Sequence, residues 1–364
     1  MSAADFNAGV SAPLASHPPP SPLAGEGLGE RGKCSPSSQW PTNLPTHLPT
    51  LRAHELTIKR GARVLCEALS FDAQPNDCWV IIGPNGAGKS TLLLTLAGLL
   101  PPAQGRIEWH GASLPTLNAL ERARHRAFLA SQQNDVFSAT VFDAVLAGRH
   151  PHLAAWQWEG AADLAAAEKA LKSLKLDALA TRDVRTLSAG ERQRVALAAM
   201  LAQAPSLYLL DEPASHLDPA QQIEALDTVL THARQHRAAV VMVLHELHLA
   251  TRYADHVILL GDDRTKGKAQ TGSAAEMLTT ERLSSLFGAA MVALEGEQFK
   301  SFVPGAGIRD QGLGIRDQES EKHVLTRRRE AAKKESPRLA PFSKGVPAEG
   351  GRGFAKKHSP QRNA

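Results

Sequence analysis

Apolar residues cluster in four short runs, each bounded by polar or turn-forming residues. The runs span residues 78–83, 206–211, 238–245 and 255–260. Their length suits a strand better than a helix. They lack the alternation of apolar and polar residues that is typical of a strand with one solvent-exposed face. Each run is therefore predicted to form a strand that is buried on both faces of a sheet.

Helical patterns separate these strands along the chain. Helical spacing is predicted over residues 86–100, 115–126, 161–180 and 219–236. Buried strands that alternate with helices indicate an α/β fold with a mostly parallel sheet and flanking helices. Ahead of them, residues 56–73 are predicted to form short strands joined by a turn at residues 60–61.

Both ends of the chain differ in composition from this core. Residues 1–50 are rich in Pro, Ser and Gly, and residues 304–364 hold a short near-repeat, GIRDQGL and GIRDQ, followed by a Lys/Arg-rich stretch. Such segments lack the apolar residues needed for a packed core, so both are predicted to be disordered tails. The working domain is therefore predicted to span residues 51–303.

Charge and cysteine content narrow the class of protein. The formal net charge of +4 is too small to indicate a nucleic-acid binder by itself. No run approaches the roughly 18–20 apolar residues of a membrane helix, and the first ten residues show no secretory signal. The three cysteines form no CxxC pair, which favours a reducing cytosol. Any membrane role would then require a partner.

A glycine-rich segment links the first buried run to a helical pattern. It fits the phosphate-loop pattern G-x-x-x-x-G-K-[ST] and comprises Gly83, Pro84, Asn85, Gly86, Ala87, Gly88, Lys89, Ser90 and Thr91. Glycines let successive N–H groups face one anion, and the helix start adds its positive dipole. Lys89 can reach the β- and γ-phosphates, Ser90 can bind Mg²⁺, and Thr91 can contact the α-phosphate. The segment predicts a nucleoside triphosphatase of unspecified kind.

Two acidic residues end the second buried run. Asp211 and Glu212 follow four apolar residues, so the strand delivers both to its carboxyl end, where open α/β sheets bind ligands. We expect Asp211 to join the Mg²⁺ shell and Glu212 to act as the general base that activates water.

Residues 186–193, TLSAGERQ, closely resemble the LSGGQ signature of ABC ATPases, and they lie shortly before the two acids, as in that family. Ser188 and Gly190 stand at the start of a predicted helix, where hydroxyl, N–H groups and dipole face one way. In the family, this surface closes over the γ-phosphate held by a second subunit. The resemblance therefore implies a head-to-tail dimer of two copies.

Three further segments resemble elements of the same family. Gln132 resembles the Q-loop glutamine that reaches Mg²⁺ and water and senses the membrane partner, with neighbouring Gln133 as the alternative assignment. Asp218 ends a segment, SHLD, that resembles the D-loop at the dimer interface. His245 resembles the switch histidine that contacts the γ-phosphate.

The resemblance covers residues 51–290 and implies a P-loop NTPase core, an N-terminal antiparallel β subdomain and an inserted helical subdomain at about residues 133–200. The sequence departs from the usual pattern at Ala189, Glu191 and Glu246. No aromatic residue stands where adenine is expected to stack, and Arg60 takes that place. Because a guanidinium plane can stack on a base, Arg60 is expected to contact adenine.

The segment AGRHPH at residues 147–152, with Trp156 and Trp158, resembles ATPases of the iron–siderophore, haem and vitamin B12 importers. This implies ATP and Mg²⁺ as cofactors, and integral-membrane permease subunits as direct partners. A periplasmic or surface binding protein would act indirectly, and no specific nucleic acid is expected. The chain would lie peripherally on the cytoplasmic face of the inner membrane. Cobalamin or ferric siderophore is the first expectation for the cargo, followed by haem.

Two other functions stay open at this point. The basic C-terminal tail would suit a soluble ABC-type ATPase that acts on nucleic acid or ribosomes. The missing aromatic residue would suit a degenerate regulatory subunit that binds ATP poorly.

Overall fold

A computed structural model describes residues 48–131, 138–154, 156–261, 269–296 and 300–305. By their contacts, these residues fall into two compact units that are divided after Leu278. The first unit contains two sheets with their helices, and the second contains a helix and a hairpin.

The strands are numbered in chain order. They are β1 Leu51–Arg60, β2 Arg63–Ala73, β3 Cys78–Ile82, β4 Gln104–Trp109, β5 Ala112–Ser113, β6 Arg126–Leu129, β7 Leu207–Asp211, β8 Ala239–Val243, β9 His256–Leu260, β10 Ala269–Ser273, β11 Met291–Glu295 and β12 Lys300–Pro304.

The helices follow the same convention. They are α1 Lys89–Leu96, α2 Ala119–His125, α3 Val141–Leu146, α4 Ala161–Ser173, α5 Ala189–Gln203, α6 Pro219–Gln235, α7 Leu247–Tyr253, α8 Ala274–Met277 and α9 Thr280–Phe287. Short 3₁₀ segments lie at Leu114–Thr116, Ala147–His152, Asp177–Leu179 and Val184–Thr186.

A six-stranded sheet forms the centre of the first unit, in the order β10-β9-β3-β8-β7-β6. Its strands run parallel except β10, which pairs with β9 in the antiparallel sense. Every residue of β3, β7 and β8 is buried, as the unbroken apolar runs predict. The parallel register brings the carboxyl ends of these three strands to one edge.

A four-stranded antiparallel sheet, in the order β2-β1-β4-β5, forms the N-terminal β subdomain. Strands β1 and β2 turn back on each other at residues 61–62, next to the predicted turn. Apolar residues of this sheet and of the central sheet share one hydrophobic core that encloses α1, and the core includes Leu56, Trp109 and Leu92. The subdomain is therefore fixed beside the start of α1.

The second unit begins with α9, which Thr279 caps and Gly288 ends with a φ of 66°. Strands β11 and β12 then pair as an antiparallel hairpin. No helix among the described residues is long and apolar enough to cross a membrane.

The predicted α/β architecture, with its antiparallel β subdomain and helical insertion, is confirmed, while several boundaries moved. The helix predicted over residues 115–126 starts only at Ala119, because Asn118 and Glu121 form a capping box there. The helix predicted over residues 161–180 ends at Ser173, and Lys175 follows with a positive φ of 56°. The pattern also missed the short strands β6 and β10.

Helix α5 packs closely against the 3₁₀ segment at residues 147–152. A Cβ atom on Gly148 would lie 2.2 Å from the Ala199 carbonyl oxygen of α5, so only glycine fits there without a backbone shift. We predict that Gly148→Ala lowers the thermal unfolding midpoint, because overpacking costs about 1–3 kcal/mol and each kcal/mol shifts a domain of this size by about 2–4 °C.

Gly160→Ala is the matched control, because the nearest atom to a Cβ at Gly160 is 3.8 Å away. Differential scanning calorimetry of the two variants should separate them. Equal midpoints would contradict the close approach.

Candidate nucleotide-binding site

The phosphate loop lies between β3 and α1, where the sequence predicts it. Gly88 precedes α1 with a φ of 99°, a conformation that L-residues with side chains rarely adopt. Asn85, Gly86, Gly88, Lys89, Ser90 and Thr91 line a cavity of about 390 Å³. Ala87 is buried beneath them. The loop therefore presents backbone and side-chain donors towards one open cavity.

Lys89 is held in place by the loop itself. Its Nζ atom donates to the carbonyl oxygens of Gly83 and Pro84, at 2.9 and 3.1 Å. Burial lowers the pKa of Lys89, while the charges of Glu212 and Asp211 oppose that shift. The loop therefore fixes the position of the ammonium group. Its charge is only partly compensated, so it can bind an anion.

Asp211 ends β7 and is 3% exposed. Burial raises its pKa, and a hydrogen bond with Ser90 opposes the rise. Its Oδ1 atom is buried and has no hydrogen-bond partner among the described residues. An unpaired buried carboxylate oxygen beside a hydroxyl suits a hard cation such as Mg²⁺. Asp211 and Ser90 can thus hold the metal that the family implies.

Glu212 and His245 come from neighbouring strand ends and meet at the cavity. The Nε2 atom of His245 lies 2.8 Å from Oε1 of Glu212, and both residues line the cavity with the phosphate loop. Glu212 has a φ of 53°, in the left-handed region. This conformation turns the Glu212 side chain away from the direction of β7. The Glu212 carboxylate and the His245 imidazole can therefore form a hydrogen bond.

The remaining wall of the cavity comes from the β subdomain. Arg60 lines it, as predicted, together with Arg63 and Leu65. Among the described residues, those that line the cavity include no Phe, Tyr or Trp side chain. Sequence reasoning missed Arg63 and Leu65. Their only signal is their place just after the β1–β2 turn, which brings them back beside Arg60.

The signature residues lie at the start of α5. The Ser188 Oγ atom accepts from the Glu191 N–H at 3.2 Å, and the Glu191 Oε2 atom accepts from the Ser188 N–H at 2.7 Å. Hydrogen bonds from the Ser188 N–H and from the Ser188 side chain to the carboxylate lower the pKa of Glu191. The departure to Glu191 thus completes a charged capping box. Neither Ser188 nor Gly190 is among the residues that line the cavity.

Asp218 is another predicted residue that stands apart from the cavity. Asp218 caps α6 by accepting from the Gln221 N–H at 2.9 Å, and it is not among the lining residues. Gln132 and Gln133 lie outside the described residues.

Burial raises the pKa of Asp211 in the folded protein. At pH values between the pKa of the unfolded chain and that of the folded protein, Asp211 is therefore protonated in the folded protein and ionised in the unfolded chain. Stability therefore falls as pH rises through that interval. We predict that Asp211→Asn raises the unfolding midpoint of the nucleotide-free protein at pH 7. The gain should shrink as pH falls to the ordinary range of a carboxyl group.

Glu67→Gln provides the control, since it removes an exposed carboxylate. Thermal unfolding monitored by circular dichroism across this pH range tests the difference. A less stable Asp211→Asn protein at pH 7 would refute the desolvation argument.

Known proteins are similar to this chain in sequence and in fold. The family model described as ABC transporter matches residues 66–215. The hemin import ATP-binding protein HmuV of Gloeobacter violaceus is 40% identical over 246 residues, which cover 65% of this chain and 87% of that protein. The ferric enterobactin transport ATP-binding protein FepC of Escherichia coli is 35% identical over 241 residues, with coverage of 65% and 87%.

A solved structure of an ABC transporter in an inward-facing conformation agrees in shape as well. It has a TM-score of 0.61 and 31% identity, and the match covers 70% of this chain and 97% of that one. This chain and these relatives share one fold. In this chain, that fold carries a phosphate loop, an acidic strand end and a capped signature helix. The chain belongs to the ATP-binding subunits of the ABC transporter family, which hydrolyse ATP to drive transport.

Proposed function

We propose that this chain binds Mg·ATP in the cavity beside α1 and hydrolyses it as one half of a head-to-tail dimer that powers an importer of iron chelates. The observation that carries the proposal is the meeting of the phosphate loop with Glu212 and His245 in one cavity. A phosphate-binding surface there faces a carboxylate that can accept a proton from water.

Each side chain of the cavity has a distinct task in this proposal. Lys89 and the loop N–H groups bind the β- and γ-phosphates, and Thr91 contacts the α-phosphate. Glu212 takes the proton of the attacking water, and His245 holds that carboxylate and contacts the γ-phosphate. Mg²⁺, bound by Ser90, Asp211 and Gln132, would neutralise phosphate charge.

Arg60 supplies the adenine end of the pocket. It lines the cavity, and its guanidinium plane can stack on the base in place of an aromatic ring. The phosphate groups would then contribute most of the binding energy. This arrangement favours an active ATPase over a degenerate regulatory subunit, because the phosphate loop, Glu212 and His245 line one cavity.

A second copy is needed to complete the site. Ser188 and Gly190 start a helix whose N–H groups suit an anion, yet they lie outside the cavity of their own chain. The Ser188 Oγ atom accepts a bond from the Glu191 N–H, which fixes its position at the start of the helix. Head-to-tail pairing would bring this surface to the partner's nucleotide, with Asp218 near the interface.

A mixing experiment tests the composite site. Lys89→Ala removes the phosphate contact of one chain, and Ser188→Arg blocks the signature of the other. Each variant alone should be inactive. In mixed dimers, one of the two sites combines an intact Lys89 with an intact Ser188, so ATP hydrolysis should reappear. Phosphate release is measured for each variant and for the mixture.

Two copies of the same variant provide the control, since doubling its concentration should restore nothing. A mixture that stays inactive, although cross-linking shows that mixed dimers form, would reject the head-to-tail arrangement.

The membrane partner is inferred from the family. A permease would meet this chain near Gln132, and the chain would lie on the cytoplasmic face of the inner membrane. A periplasmic or surface binding protein would deliver cargo to that permease. The relatives named above do not favour a soluble ATPase for nucleic acid or ribosomes, and the basic tail that suggested it lies outside the described residues.

The cargo is proposed from the relatives alone, because the ATPase does not contact it. The two relatives named above carry names for hemin and ferric enterobactin transport. Both cargoes are iron chelates, so hemin or a ferric siderophore is the proposed cargo. Cobalamin, which the sequence placed first alongside ferric siderophore, gains no specific support from these names.

Glu212→Gln tests the base and the cargo together. In the purified protein, ATP turnover should fall by about 100-fold or more, because the general base is lost. In cells whose only copy carries the change, uptake of labelled hemin or ferric siderophore should fall with it, while cobalamin uptake stays unchanged.

Cells with the unchanged gene on a plasmid are the control. Normal turnover in Glu212→Gln would reject the base assignment. Loss of cobalamin uptake alone would reject the iron-chelate assignment.

A further inference from the structure

The loop that joins β7 to α6 carries two strained residues. Glu212 and His216 have φ values of 53° and 63°, in the left-handed region that residues with side chains rarely adopt. Such conformations persist where the surrounding structure holds them. The groups that hold this loop therefore also determine where the Glu212 carboxylate points.

Gln193 holds the loop from the side of α5. Its side chain is 5% exposed, and its Nε2 atom donates to the carbonyl oxygens of Glu212 and Pro213, at 3.3 and 2.9 Å. Both acceptors belong to the first two peptide groups after the Cα atom of Glu212. A buried amide with two such bonds fixes the orientation of these peptide groups.

A second contact joins the same helix to the same loop. A Cβ atom on Gly190 would lie 2.8 Å from the carbonyl oxygen of His216, so the start of α5 rests directly on the loop backbone. Gly190 and Gln193 are three residues apart and share one helix face. The first turns of α5 and the Glu212 loop can therefore move only together.

Gln222 makes a comparable bond from the opposite side. Its Nε2 atom donates to the Ala214 carbonyl oxygen at 3.2 Å, and it belongs to α6. This bond ties the loop to α6, whereas the bonds of Gln193 tie it to α5. The two glutamines thus differ mainly in which helix they tie to the loop.

We propose that Gln193 is a positioning residue that couples the two nucleotide sites of the dimer. This inference rests on the proposed composite site, in which the start of α5 faces the partner's nucleotide. Closure of Ser188 and Gly190 over that nucleotide shifts α5, and Gln193 carries the shift to the backbone of this chain's own Glu212. The base of each chain then reaches its most productive position when the opposite nucleotide is bound, and a single occupied site keeps a reduced activity.

The size of this effect follows from catalytic geometry. A misplacement of about 1 Å at a reacting group can cost about 100-fold in rate. A packed helix linked by hydrogen bonds is an element that can transmit such a shift. The coupling should appear in the catalytic rate and in cooperativity, whereas ATP affinity depends on the phosphate loop and should change little.

Gln193→Met tests the coupling, because it keeps the length of the side chain and removes the donor. The full-length protein is assayed for phosphate release against ATP concentration. Two coupled sites allow a Hill coefficient of up to about 2. We expect this coefficient to fall to about 1 and kcat to fall about 10-fold, with KM nearly unchanged. Gln193→Asn, whose amide is one carbon shorter, should behave alike and serves if the methionine variant does not fold.

Gln222→Met is the matched control and should retain cooperativity, with thermal unfolding confirming that all variants are folded. An unchanged Hill coefficient and kcat in the Gln193 variants would overturn the proposal. An equal loss of cooperativity and kcat in Gln222→Met would also overturn it, because both glutamines would then only support the loop. If wild-type hydrolysis is non-cooperative while Lys89→Ala and Ser188→Arg still complement each other, the coupling fails and the composite site stands.

Discussion

The carboxyl ends of three neighbouring parallel strands must lie level for this site to form. Val243 of β8 pairs with Ile81 of β3 on one side and with Asp211 of β7 on the other. The phosphate loop, Glu212 and His245 all begin within two residues of that row. A register slip of one residue would turn alternate side chains to the opposite face of the sheet. Burial of these strands on both faces maintains the alignment.

The same alignment brings a lysine and a carboxylate into partly dry surroundings. Burial lowers the pKa of Lys89 and raises that of Asp211, so each charged form is held at a cost to stability. In the proposed function, Mg·ATP would supply phosphate oxygens to the ammonium group and the metal to the carboxylate. The protein would then give up stability without nucleotide for affinity with it, which is a common feature of sites built for charged ligands.

A third constraint acts through α5. Its capping box fixes the signature surface, and its next turn holds the strained loop beyond Glu212. One rigid helix therefore touches both the surface that faces outwards and the backbone of the base. In the proposed dimer, ATP is hydrolysed at full rate only when two subunits are engaged. A helix that links the outward surface to the inward carboxylate provides a physical basis for that requirement.

The sequence by itself determined the elements whose signals are local. The buried runs, the phosphate loop, the acids at a strand end and the signature each lie in one short segment, and their spacing reflects the periodicity and chemistry of that segment. Arg60 was singled out through the family resemblance, because it stands where an adenine-stacking aromatic residue is expected, and its contact with adenine stays a prediction. Only the tertiary structure brought Arg63 and Leu65 into the cavity, left Ser188 outside it, and joined Gln193 to the loop of Glu212. These facts depend on contacts between elements distant in sequence, and such contacts leave no pattern in either segment alone.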